Sequence, residues 1–193
     1  MSSAFDKSIN HVMLYEIGGF FKLTSDVEAG LISTKQQRQA VGYVNDPNDR
    51  GGETKFGIAK NANPDLNISA LTWAQANTVY FNRYWIPAQC DKLPGRYAVL
   101  HFDVAVNHGV KRANLFLQHA LGVTADGSIG PITLAKVLTV DVFDLITNVS
   151  NIRKQFYLDL VVNDPSQAKY KDGWIRRCDE VESFTLDKSQ DFS

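Results

Sequence analysis

Phe5, Ile9, Val12, Met13 and Glu16 recur at steps of three and four, the spacing of one face of an α-helix. Gly18-Gly19 frees the backbone just beyond and is expected to end that helix. Glu16 then falls in the last turn, on or beside the apolar face, where a carboxylate meets the negative end of the helix dipole. Residues 20 to 60 have no such period. Phe20-Phe21-Lys22-Leu23 and Gly42-Tyr43-Val44 read as short strands, and Asn45 to Gly52 is a cluster of turn formers, so any sheet is expected here. Between those strands, Ser33 to Ala40 is polar and Gln-rich and reads as an exposed excursion.

Beyond residue 60 the pattern is helical. Thr72-Trp73-Ala74-Gln75 has the form of a capping box and opens a segment running to about Trp85, ahead of Pro87. Tyr97, Leu100, Val104 and Val106 mark an apolar helix ending near Asn107-His108-Gly109, and Ala113 to Leu121 a third, stopped by Gly122. Asp126-Gly127 reads as a turn, with Pro131 suited to the first turn of the next helix. Asp141 to about Val162 forms a longer helix. Asp164-Pro165-Ser166-Gln167 combines a cap, a first-turn proline and a capping-box Gln to open the last. The tail after Phe184 is polar and is expected to fray. The fold class expected is mainly α, with a small β-hairpin region after the first helix.

Composition narrows the function only by exclusion. A chain of 193 residues with 44% hydrophobic and 21% charged positions can bury a core without staples. A net charge of -1 offers no basic face for nucleic acid. Cys90 and Cys178 match no zinc spacing or disulfide framework and read as free thiols. The His and Cys positions fit no metal-ligand pattern, and neither a metal nor a cofactor is expected. No stretch reaches membrane-spanning length, and Met1 to Leu14 does not read as a secretory signal.

The chemistry-bearing residues sit at the start. Cutting a glycosidic bond needs a proton donor at the leaving oxygen and a means of handling a cationic sugar. Glu16, ending an apolar helix, fits the donor, because a Glu serves at neutral pH only when partly desolvated. Its partners are expected from the glycine-rich loop that carries Asp46, Asp49 and Thr54. Each also has a plain structural reading, as a turn residue bonding its own backbone. Asn107 reads equally as a helix stop or as a substrate-lining amide.

Tyr15-Glu16-Ile17-Gly18-Gly19-Phe20 followed by Gly42-Tyr43-Val44-Asn45-Asp46-Pro47-Asn48-Asp49-Arg50-Gly51-Gly52-Glu53-Thr54-Lys55-Phe56-Gly57-Ile58 resembles the glycoside hydrolase family 108 N-acetylmuramidases, which include phage endolysins. Phe102-Asp103-Val104-Ala105-Val106-Asn107-His108-Gly109 is similar to that family's F-D-x-A-V-N-x-G stretch. Leu117-Gln118-His119-Ala120-Leu121-Gly122-Val123 and Asp126-Gly127-Ser128-Ile129-Gly130-Pro131-Ile132-Thr133 resemble its peptidoglycan-binding part, and Asp172-Gly173-Trp174-Ile175-Arg176-Arg177 its closing motif. The resemblance implies a lysozyme-like helical fold, a catalytic part over 1–110 and a helical C-terminal part over 111–193, packed as one unit. It implies Glu16 as general acid, with Asp49 and Thr54 orienting water or stabilising charge, and Tyr43, Asp46 and Asn107 lining the substrate. In the family the E-G-G-Y and V-N-D-P elements are contiguous. Here residues 21–42 intervene and Ile17 separates Glu16 from its glycines, which makes Glu28, inside the insertion, the rival acid.

The function so implied is hydrolysis between N-acetylmuramic acid and N-acetylglucosamine for phage-induced lysis. The alternatives are lytic transglycosylation and a non-catalytic wall-binding phage structural protein. The expected partner is the peptidoglycan glycan strand, met by a monomer that binds no nucleic acid and does not insert stably in a membrane. Synthesis in the host cytoplasm, with holin-type release to the wall, completes the expectation.

Overall fold

A computed structural model describes residues 3–17, 35, 38, 41–46 and 52–192. The stop at Gly18-Gly19, the Phe20 to Leu23 strand, Glu28, Asp49 and all of the Ser33 to Ala40 excursion except Lys35 and Arg38 lie outside them; those two are exposed. The elements are helix α1 (Ser3–Glu16), a two-stranded hairpin of β1 (Thr54–Lys55) and β2 (Ile58–Ala59), and helices α2 (Trp73–Tyr80), α3 (Gly95–His108), α4 (Val110–Leu121), α5 (Pro131–Val137), α6 (Val142–Asn163) and α7 (Lys171–Leu186). Among the described residues the protein is mainly α with a small hairpin after the first helix, the lysozyme-like arrangement expected. No helix among the described residues is long and apolar enough to cross a membrane.

Contacts divide the chain into two compact units, residues 9–82 and residues 1–8 with 83–193. In the smaller, the α1 stripe is buried as its period demands, with Val12 and Met13 fully covered. The hairpin is antiparallel, pairing Thr54 with Ala59 and Lys55 with Ile58, and Val44 adds a single bridge to Thr54. Phe56 and Gly57, alone between the strands, take φ of 53° and 74°. Two positive φ values in a two-residue loop make a type I′ turn, whose twist matches that of the strands it joins. Phe56 tolerates this because tertiary contacts hold it: its N–H donates to the Val41 carbonyl, its ring packs on Trp73, and its carbonyl accepts the Tyr80 hydroxyl. Thr72 closes the expected capping box on Gln75, opening α2, which continues as a π-helical turn to Trp85.

In the larger unit α3 is the central helix, buried from Tyr97 to Ala105 and packed by α4, α6 and α7. Phe5, Trp85 and Phe102 meet edge to face, with centroids 5.3–5.6 Å apart. Burying side chains of this size contributes about 1.5–3 kcal/mol each. Gly122 ends α4 in the left-handed conformation, Pro131 opens α5, and Asp141 caps α6, all as the sequence predicts. Cys90 and Cys178 are free and buried.

Two expectations need correction. Asp164 caps the segment after α6, but that segment is a 3-10 helix over Pro165–Tyr170, and the last α-helix begins only at Lys171. The Asp164 N–H is already spent on the Leu160 carbonyl at the end of α6, so Gln167 reaches the Asp164 carboxylate instead and the box stays open. The tail does not fray. Arg96 donates to the carbonyls of Thr185, Asp187 and Gln190 and lies over the Phe192 ring, which is buried.

Candidate active site

Glu16 is the last residue of α1 and is half-buried. The turn of the hairpin lies directly against it. A methyl group at Gly57 would stand 3.1 Å from the Glu16 Cβ, 3.5 Å from its Oε2 and 2.6 Å from the Tyr80 hydroxyl. Only a glycine fits there, on φ and on space together. The hairpin turn is thereby placed against the acid, although residues 21–42 intervene in sequence.

Lys55 anchors this arrangement from the other side of the turn. Its side chain is fully buried, its ammonium donates to the Ser69 carbonyl at 3.0 Å, and burial pushes its pKa below the usual lysine range. Tyr80 anchors it from α2, donating to the Phe56 carbonyl at 3.0 Å. Neither residue stands out as a site residue in the sequence. The available signal is that Trp73, Ala76 and Tyr80 form the buried stripe of α2, and that Lys55 follows Thr54 in the glycine-rich motif.

Thr54 lies in β1 and exchanges backbone hydrogen bonds with Val44, while its hydroxyl faces the Gly52 carbonyl at 3.3 Å. Tyr43 donates its hydroxyl to Glu53 at 2.6 Å. That bond, aided by burial, holds the Tyr43 proton more tightly than in free tyrosine. Asp46 is exposed just beyond the Val44 bridge. Glu16, Tyr43, Asp46 and Thr54 all belong to the unit of residues 9–82, whereas Asn107 belongs to the other. Asp49 lies outside the described residues.

Asn107, the exposed penultimate residue of α3, joins a polar network that reaches into the core. Its Oδ1 accepts from Arg153 Nη2 at 3.2 Å and from the Tyr157 hydroxyl at 2.5 Å. Arg153 in turn donates to His108 Nε2 and, at 2.7 Å, to the fully buried Asp103, which also receives Arg177. Because His108 Nε2 accepts, its proton sits on Nδ1. Because a guanidinium can only donate, the Asn107 atom that meets Arg153 is the oxygen, which fixes the orientation of the amide.

A Gly57→Ala substitution tests the turn. A left-handed alanine costs about 1 kcal/mol before the clash with Tyr80 and Glu16 is counted. The variant is expected to melt a few degrees lower and to lose the glycan cleavage expected from the sequence out of proportion to that loss of stability. Wild-type activity with the expected drop in melting temperature would disconnect the turn from the chemistry.

Residues 38–109 match the family model for glycosyl hydrolase 108, and residues 112–179 match the model for a predicted peptidoglycan domain. No curated protein matches the chain. Among solved structures it is similar to Brucella abortus SagA, with 27% identity and a TM-score of 0.68 over 97% of this chain and 96% of that one. A glycoside hydrolase joined to a peptidoglycan domain acts on peptidoglycan, and that is the activity the two matches assign. The chain thus carries a segment that matches glycosyl hydrolase 108 over residues 38–109, followed by one that matches a predicted peptidoglycan domain over residues 112–179.

Proposed function

We propose that the protein is an N-acetylmuramidase in which Glu16 is the general acid. The observation that supports this is the seating of the Gly57 turn on the Glu16 side chain. In this reading the Glu16 carboxyl gives its proton to the bridging oxygen between N-acetylmuramic acid and N-acetylglucosamine. The C1–O bond then breaks, and water adds at C1 while losing a proton to a base. Thr54 orients that water, and Asp49 is the nominated second carboxylate. Tyr43 and Asp46 line the sugar. The resemblance to phage endolysins supports a lysis role, with synthesis in the host cytoplasm and holin-type release to the wall.

The products decide the bond. Purified peptidoglycan digested by the wild-type protein and read by mass spectrometry is expected to give fragments with reducing N-acetylmuramic acid ends. Anhydro-muramic ends would assign lytic transglycosylation instead, and reducing N-acetylglucosamine ends would move the cut to the other linkage. No released fragments at all would leave a non-catalytic wall-binding protein.

A further inference from the structure

A cleft opens in the unit that contains residues 83–193. Its volume is about 530 Å³, and its walls come from the turn at Gln89, the start of α4 and the Asp126 to Ile129 turn. It lies where the two matched segments meet, with Gln89 in the hydrolase match and Asn114 and Asp126 in the peptidoglycan-domain match.

The walls are held stiffly. Gln89 has φ of 53°, a conformation that costs free energy for a residue other than glycine and persists only when over-determined. Here its side chain donates to the Ile129 carbonyl at 2.7 Å and accepts from Lys92 at 3.0 Å. Asn114 is buried, donates to the Gly127 carbonyl at 3.0 Å and is itself fixed by His101. Gln118 accepts the Gly127 N–H and donates to the Ser128 carbonyl and to Asp126 Oδ1. Three side-chain amides thus shape one turn.

Two opposite charges are presented on this frame and do not neutralise each other. The Lys111 stem lies on Gly127, its Cγ 2.8 Å from where a Cβ would be, and its ammonium makes no ion pair among the described residues. Asp126 spends Oδ1 on Gln118 and the Ser128 N–H, each at 2.8 Å, which leaves its second oxygen for a ligand. No aromatic ring lines the cleft, so the stacking surface that sugars favour is missing. A ligand that answers both charges carries a carboxylate and an amine within a few bonds of each other.

Peptidoglycan supplies one such component, the peptide stem, whose diamino acid bears both groups. We propose that this cleft binds the peptide stem of peptidoglycan, its carboxylate taken by Lys111 and its free amine by Asp126. The proposal rests on the reading that the protein acts on peptidoglycan. It makes the junction of the two matched segments a reader of peptide, complementary to the chemistry on glycan.

The test is an NMR titration of the intact 15N-labelled protein with the tetrapeptide L-Ala-γ-D-Glu-meso-diaminopimelate-D-Ala, and separately with chitotetraose, which carries no peptide. Saturable shifts at Lys111, Gly127 and Ser128 are expected with the peptide and none there with the sugar. Lys111→Met keeps the stem over Gly127 without the charge, and Asp126→Asn keeps the Oδ1 acceptor. Each is expected to weaken peptide binding about tenfold, the loss of one charge-assisted hydrogen bond, while its spectrum stays dispersed. Cleavage of peptide-free glycan strands is expected to stay at the wild-type rate in both. Absence of saturable shifts, unchanged affinity in both variants, or shifts by chitotetraose at the same residues would overturn the proposal. If the wild type binds the peptide but releases nothing from whole peptidoglycan, the hydrolase reading fails and the cleft assignment stands.

Discussion

Glu16→Gln is expected to leave a folded protein whose rate of peptidoglycan cleavage falls about 10²- to 10⁴-fold. The substitution keeps the size of the side chain against Gly57, so the turn has no reason to move. What is lost is the proton. An amide cannot protonate the leaving oxygen, and the sugar oxygen must then depart as an alkoxide. The acid's contribution is made only in the transition state, so the loss should fall on kcat rather than on KM. Zymography with matched circular dichroism spectra reads the result. Glu28→Gln is the informative comparator, because Glu28 is the other glutamate before the loop. Retention of activity in Glu16→Gln together with its loss in Glu28→Gln would transfer the role to Glu28.

What made Glu16 legible was local. A period of three and four located the helix, and a carboxylate at the carbonyl end of an apolar stripe marked the residue. The caps at Thr72 and Asp141, the proline at the start of α5 and the glycine after α4 were legible for the same reason, since each is a bond between neighbours in sequence. The hairpin was legible as a place but not as a geometry. Phe56-Gly57 is not a pair that signals a type I′ turn, and the contacts that hold Phe56 left-handed come from Val41, Trp73 and Tyr80. The tail failed in the same way. Its residues are polar, yet Arg96 reaches across 89 to 94 positions to bond their carbonyls, which no local composition encodes. Asn107 stood in the sequence as either a helix stop or a substrate residue. The structure gives it a further task, as the acceptor for Arg153 and Tyr157.

The same network sets the largest stability effect, at Asp103. Its carboxylate is fully buried with Arg153, also fully buried, at 2.7 Å and Arg177 at 2.8 Å. Burial alone would raise its pKa, but the two guanidiniums outweigh it and hold the carboxyl at about 2. Asp103→Ala strands two cations away from water, and breaking such a pair by removing one partner costs about 3–5 kcal/mol. By contrast, a triple variant, Asp103→Leu with Arg153→Met and Arg177→Met, removes every charge of the cluster and is expected to be the more stable of the two. Urea unfolding of both separates a charge penalty from mere loss of packing; a triple variant weaker than Asp103→Ala would refute the charge account. Acid should act on the wild type through this cluster in two stages. His108 is held neutral, at about 3, by burial and by Arg153, so its contribution is whole above its unfolded value of 6.5 and drains away as pH falls toward 3. Asp103 contributes fully above its unfolded value of 3.8, and that contribution is lost only as pH falls through about 2. The melting temperature should therefore decline from pH 6.5 downward. In a His108→Phe variant, which lacks the titrating ring, the decline should be shallower between pH 6.5 and 4 than in the wild type, and identical slopes would take His108 out of the account.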